Sequence, residues 1–171
     1  MIAAWTASLP NAAATTWLGE QVAERCREGD VIALCGPLGA GKTTWTQGFA
    51  RGLGVSTPVR SPTFALCHEY AGRLAVLHID VYRLGGADEA EDLGFFDRVG
   101  SDGVSVIEWA DRFPSLIPGH ALWLRLDHDG DRRRVTAWEP DEPIGAAQID
   151  LDWTEANEPA PWTAPVAAPG I

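Results

Sequence analysis

Lysine is almost missing from this chain of 171 residues: of its 13 basic residues twelve are arginine, and the one lysine is Lys42. Long apolar stretches are missing as well. No run approaches the ~20 residues that a membrane-spanning helix needs, which excludes a membrane partner of that kind. The start, "MIAAWTASLP", lacks the basic opening and apolar stretch of a secretory signal. Cysteine is scarce, with Cys26, Cys35 and Cys67 odd in number and scattered. They fit neither a disulfide framework nor a CxxC metal site, so a cytoplasmic, reducing compartment is the default expectation. Positive charge is outnumbered, 24 acidic residues to 13 basic ones, for a net charge of −11. Ten of those acids and only three of the bases lie in residues 127–171. A broad basic face for DNA or RNA is therefore excluded. Any nucleic-acid role must be local or pass through a partner.

What is present reads as a layered α/β domain. Asn11 is placed to cap a helix in which Leu18, Val22 and Cys26 recur at helical spacing, with Gly29 as its stop. "VIALC" (residues 31–35) is a short apolar run suited to a strand buried on both faces. "TTWTQGFARGLG" reads as a helix closing at Gly54. "SPTFALCHEY" and "LAVLHID" read as two strands of a hairpin that turns at Ala71–Arg73. "GADEAEDLG" is a short acidic helix or turn, and "VSVIEW" a further buried strand. "ALWLRLDHDGDRRRVTAW" reads as a second hairpin with residues 127–131 as its loop. Residues 1–152 are expected to form one domain, and the Pro/Ala-rich residues 153–171 a disordered tail. The hairpins predict a mixed sheet rather than a purely parallel one.

The lone lysine sits in "GPLGAGKTT". Gly36, Gly41, Lys42 and Thr43 occupy every fixed position of G-x-x-x-x-G-K-[ST]. The chemistry requires these residue types. Glycines let the backbone wrap closely around a phosphate, and successive N–H groups converge on it at the positive end of the following helix. The compact ammonium reaches the β and γ phosphates, and the threonine hydroxyl can ligate Mg²⁺. A buried strand before the loop and a helix after it complete the expected context.

A P-loop nucleoside triphosphatase also needs an acid near its metal, usually at the end of a neighbouring strand. Asp80 ends "LAVLHID" and Glu108 ends "VSVIE". One of them can serve Mg²⁺ and the other can orient or deprotonate the attacking water, and these residues alone leave the assignment open. Ser61 and Thr63, in "VRSPTF", offer hydroxyls in a loop suited to sensing a γ-phosphate. His78 precedes Asp80 by two residues and shares its side of the strand, where a structural role is the first expectation. Trp109 follows Glu108 and is placed to lie near a nucleotide.

Taken together, "GPLGAGKTT", "VRSPTF", "LHIDVYRL", "EDLGF" and "VIEWADR" resemble, in order and spacing, the TsaE family of small bacterial P-loop ATPases. The resemblance covers about residues 11–138. It implies a three-layer α/β/α fold around a mixed, mainly parallel sheet. It implies ATP and Mg²⁺ as cofactors, with Gly39, Ala40, Gly41, Lys42, Thr43 and Thr44 around the phosphates. Thr43 and Glu108 would be the metal ligands, and Asp80 the further acid needed for hydrolysis, acting with Lys42 and Glu108. Ser61 and Thr63 would belong to a switch-like loop. Asn11 and Thr15 would approach the adenine, Trp109 would lie beside the nucleotide, and an arginine near the last hairpin, taken here as Arg132, would join them. The resemblance also implies TsaD and TsaB as protein partners in threonylcarbamoyladenosine modification of tRNA, with tRNA met only through that complex. The alternative reading is a P-loop kinase for a nucleotide or small molecule, although residues 85–101 are acidic where an arginine-rich lid would be needed. A GTPase would need an Asn-Lys-x-Asp element, which a chain with one lysine cannot contain.

Overall fold

A computed structural model describes residues 5–138. Its centre is β2 (Val31–Cys35), every residue of which is buried. Ile32 and Leu34 enter one core, and Val31, Ala33 and Cys35 the other, which is why this run carries no polar alternation. β2 pairs in parallel with β5 (Val104–Glu108) on one side and β6 (Leu122–Asp129) on the other. β4 (Val76–Asp80) continues the parallel set beyond β5. Three antiparallel strands complete the sheet: β3 (Cys67–Tyr70) on β4, β7 (Arg132–Trp138) on β6, and β1 (Trp5–Leu9) on β7. The order is β1-β7-β6-β2-β5-β4-β3. Because β1 reverses β7 and β7 reverses β6, five of the seven strands run the same way.

One face is covered by α1 (Ala12–Arg25) and α2 (Lys42–Gly52). Trp45 and Phe49 stack at 5.1 Å between α2 and the sheet. The two helices touch backbone to backbone: a Cβ added at Gly48 would lie 1.9 Å from the Thr16 carbonyl oxygen. No larger residue fits there without separating the pair. The Asn11 side chain accepts from Ala14 N at 2.9 Å and starts α1, as the sequence predicts. The other face has thinner cover: α3 (Ala87–Asp92), α4 (Phe95–Arg98) and two 3₁₀ turns at Ala110–Arg112 and Pro114–Leu116.

The expected elements differ from the structure chiefly in four places, beyond small shifts at the ends of β4 and β5. α1 ends at Arg25, short of Gly29. Only the second half of "SPTFALCHEY" is strand. Residues 61–66 form a turn in which Ala65 N and Leu66 N both donate to the Pro62 carbonyl, and Pro62 itself has no N–H, so these three residues donate nothing to a ladder. The last hairpin turns on Gly130 and Asp131 alone, since Asp129 already faces Arg132. β1 was not anticipated, although its inward Ala7 and Leu9 alternate with polar residues. The boundary at residue 152 and the tail lie outside the described residues.

Candidate functional site

β2, β4 and β5 end together, because parallel register sets Asp80 opposite Glu108 and Leu34 opposite Glu108 on the other side. From Cys35 the chain turns out of the sheet through Gly36. Its φ is +119°, and a Cβ there would lie 2.0 Å from the Leu126 carbonyl oxygen, so only glycine can make this exit. The loop closes onto the first turn of α2. There Lys42, 5% exposed, donates to the carbonyls of Gly36 at 2.7 Å and Pro37 at 3.0 Å. Its ammonium also lies 3.6 Å from the centre of the Trp109 ring. Burial holds the Lys42 pKa below the ordinary lysine value, against the opposing pull of the Glu108, Asp111 and Asp80 carboxylates.

The two strand-end acids are both buried. Glu108 accepts from the Thr43 hydroxyl at 3.1 and 3.2 Å through its two oxygens, and its Oε1 lies 2.9 Å from His78 Nε2. Asp80 accepts from Thr63 at 2.6 Å, from Ser61 at 3.3 Å and from the Tyr82 backbone N–H at 2.8 Å. Gly39, Gly41, Thr44 and Leu38 join Lys42, Thr43, Ser61, Thr63, Asp80, Glu108 and Trp109 around one cleft of about 320 Å³. Trp109 adopts φ +62°, a strained conformation for a bulky residue, and packs on Tyr82 at 4.7 Å. Ala40 is buried beneath the loop and its N–H donates to Pro37 O, so it shapes the cradle from behind.

A recess of about 130 Å³ opens beside this cleft. Asn11 and Thr15 line it, together with Gly39, Gly41, Thr44, Asp131 and Arg133. The arginine there is Arg133, whose Nη2 donates to Gly39 O at 3.4 Å. Arg132, named from the sequence, is absent from this lining: neighbouring residues of a strand face opposite sides, so only one of the pair can turn toward the loop. His128 was also missed; its Nε2 lies 3.2 Å from Leu38 O. His78 shares a strand with Asp80, yet its bond crosses to Glu108.

The donor set is hard and oxygen-based. A hydroxyl and a carboxylate at the start of a helix fit Mg²⁺, which takes one or two protein oxygens and completes its shell with phosphate and water. Among the described residues no group of three or more His, Cys, Asp or Glu gathers as a denser metal site, and all three cysteines are free. No helix among them is long and apolar enough to cross a membrane. A larger depression of about 500 Å³, between α1, α2 and residues 55–60, contains none of these acids.

Comparison with known proteins gives one answer. The profile described as "Threonylcarbamoyl adenosine biosynthesis protein TsaE" matches residues 9–136. The chain is 42% identical over 121 residues to the tRNA threonylcarbamoyladenosine biosynthesis protein TsaE of Bacillus subtilis, covering 70% of this chain and 75% of the relative. It is 41% identical to the protein of that name from Treponema pallidum, covering 70% of this chain and 90% of the relative. Its fold matches the crystal structure of Bacillus subtilis YdiB with a TM-score of 0.66 at 35% identity, over 78% of this chain and 83% of that one.

Proposed function

This chain belongs to the TsaE family, whose members serve tRNA threonylcarbamoyladenosine biosynthesis, and we propose that it binds Mg²⁺–ATP at the P-loop and hydrolyses it to support a TsaB–TsaD complex. The observation that carries this reading is the convergence of Lys42, Thr43, Glu108 and Asp80 on one cleft. The loop N–H groups hold the phosphates at the N-terminus of α2. Lys42 exchanges its bonds to Gly36 O and Pro37 O for β and γ phosphate oxygens. Thr43 and Glu108 hold Mg²⁺, which when bound neutralises charge on the phosphates.

Asp80 is the better placed acid for water, since Glu108 is already committed to Thr43. Its carboxylate orients a water for attack on the γ phosphorus and accepts its proton. The bond to the bridging oxygen breaks, giving ADP and phosphate. Ser61 and Thr63 hold Asp80 from a loop and are the groups that must shift as the γ-phosphate arrives or leaves. Asn11, Thr15 and Arg133 receive the nucleoside end. A net charge of −11 is in keeping with leaving tRNA contact to the partners, and three free cysteines with a cytoplasmic setting.

The test is ATP turnover by the full chain, with and without TsaB and TsaD. Turnover should rise when the partners are added, and Lys42→Ala should reduce it by ~10² or more. Equal turnover with and without partners would remove the dependence. Native turnover in Lys42→Ala, Asp80→Ala and Glu108→Ala alike would remove the site.

A further inference from the structure

The imidazole of His78 is fully buried at the site and has no part in the reaction just described. It stands in the middle of β4, among Val76, Leu77 and Ile79, where a polar ring is costly unless bonded. Its one hydrogen bond goes to Glu108: Nε2 lies 2.9 Å from Oε1, and because a carboxylate only accepts, Nε2 carries the hydrogen. Nδ1 is buried and without a partner among the described residues. A leucine or phenylalanine would fill this space with no orphaned atom. The ring is therefore badly matched to its pocket in every respect except the bond to Glu108.

The same Oε1 that accepts from His78 is 3.1 Å from the Thr43 hydroxyl. A continuous chain of polar contacts thus runs from the first turn of α2, through the end of β5, into the interior of β4. Tyr70 lies beside the imidazole, with ring centres 6.4 Å apart.

We propose that His78 is the positioning residue of the metal site: by donating to Oε1 it fixes the Glu108 carboxylate against Thr43, so the two oxygens are preorganised for Mg²⁺. This rests on the nucleotide reading above and assigns His78 a part in it. Partners that orient a metal's ligands commonly change its affinity by ~10–100-fold when removed. The effect should fall on the metal and spare the phosphate cradle, which His78 does not touch.

The experiment titrates Mn²⁺ into the full chain saturated with ATP, followed by electron paramagnetic resonance, and separately measures ATP affinity in EDTA. His78→Leu should weaken Mn²⁺ binding about tenfold while ATP affinity in EDTA stays within about twofold, which also reports an intact fold. His78→Gln sets an amide nitrogen where Nε2 stood and should recover native Mn²⁺ affinity to within about threefold. His78→Asn, one carbon shorter, should remain with the leucine variant. Native Mn²⁺ affinity in His78→Leu overturns the proposal, as does equal affinity in the Gln and Asn variants. The Gln–Asn pair decides alone if the leucine variant does not fold. A native protein that binds no Mn²⁺ with ATP, or a Glu108→Ala variant that binds it normally, removes the nucleotide reading and this proposal with it. Loss in Glu108→Ala beside no change in His78→Leu removes only the role of His78.

Discussion

Asp80 and Glu108 end neighbouring strands, lie opposite each other in register, and are both almost wholly buried. Their partners differ in kind. Glu108 is gripped by Thr43 of α2 and His78 of β4, groups anchored in regular secondary structure. Asp80 is held by Ser61, Thr63 and the Tyr82 N–H, all of them on connecting segments. Next to Thr63, Phe64 is 87% exposed, so on this side the loop is open to solvent, although Pro62 is buried. Two carboxylates of equal burial therefore have unequal freedom. The fixed one suits a metal ligand, whose geometry must be ready beforehand. The one held by a loop suits a group that must respond to the presence of a γ-phosphate.

The sharpest way to break this contrast is to remove each acid in turn. Glu108→Ala should abolish metal-dependent ATP binding and lower turnover by ~10³. Asp80→Asn should lower turnover by ~10²–10⁴ while Mg²⁺–ATP binding, measured by calorimetry, stays within a few-fold. If Asp80→Asn costs metal affinity as much as Glu108→Ala does, the two acids share one role and the distinction fails. Next in size is Lys42→Arg. Lys42 donates to two carbonyls and lies over the Trp109 ring, contacts made by a compact ammonium that a broad planar guanidinium does not reproduce. The variant should bind and hydrolyse ATP at least ~10-fold worse at unchanged net charge, and native kinetics would show that charge alone matters there. Thr63→Ala removes a bond to a charged partner, worth ~1.5–3 kcal/mol. It should speed proteolysis of residues 60–66 and lower turnover less than Asp80→Asn does. Unchanged proteolysis would mean that Asp80 does not hold that loop.

The rigid half of this contrast was legible in the sequence, and the reason is locality. The glycines, Lys42 and Thr43 lie within eight consecutive positions whose spacing states their joint geometry. β2 announces itself as a run with no polar residue and β5 as one interrupted only by Ser105, so their ends, and Glu108, follow directly. Where contacts cross between strands the sequence is silent. His78 shares a side of β4 with Asp80, but register and side-chain reach, neither written locally, send its bond to Glu108 instead. The turn at residues 61–66 was misread for a related reason. Its hydroxyls are taken by Asp80, 17 residues away from Thr63, and its backbone folds onto Pro62. A strand there would have to give up both.

The smallest effect tests the same lesson at the last hairpin. "DRRR" offers adjacent arginines that charge alone cannot tell apart, and only the parity of β7 selects between them. Arg133 reaches Gly39 O and lines the recess with Asn11 and Thr15. Arg132 faces Asp129 across the hairpin, and its carbonyl accepts from Arg133. Arg133→Ala should therefore raise the KM for ATP by roughly two- to fivefold, as expected for one exposed charged contact of up to ~1 kcal/mol, with kcat nearly unchanged. The same change at Arg132 should move KM less. A larger effect at Arg132 would mean that the hairpin shifts by one residue when nucleotide binds, since a slip of that size exchanges the sides on which the two arginines stand.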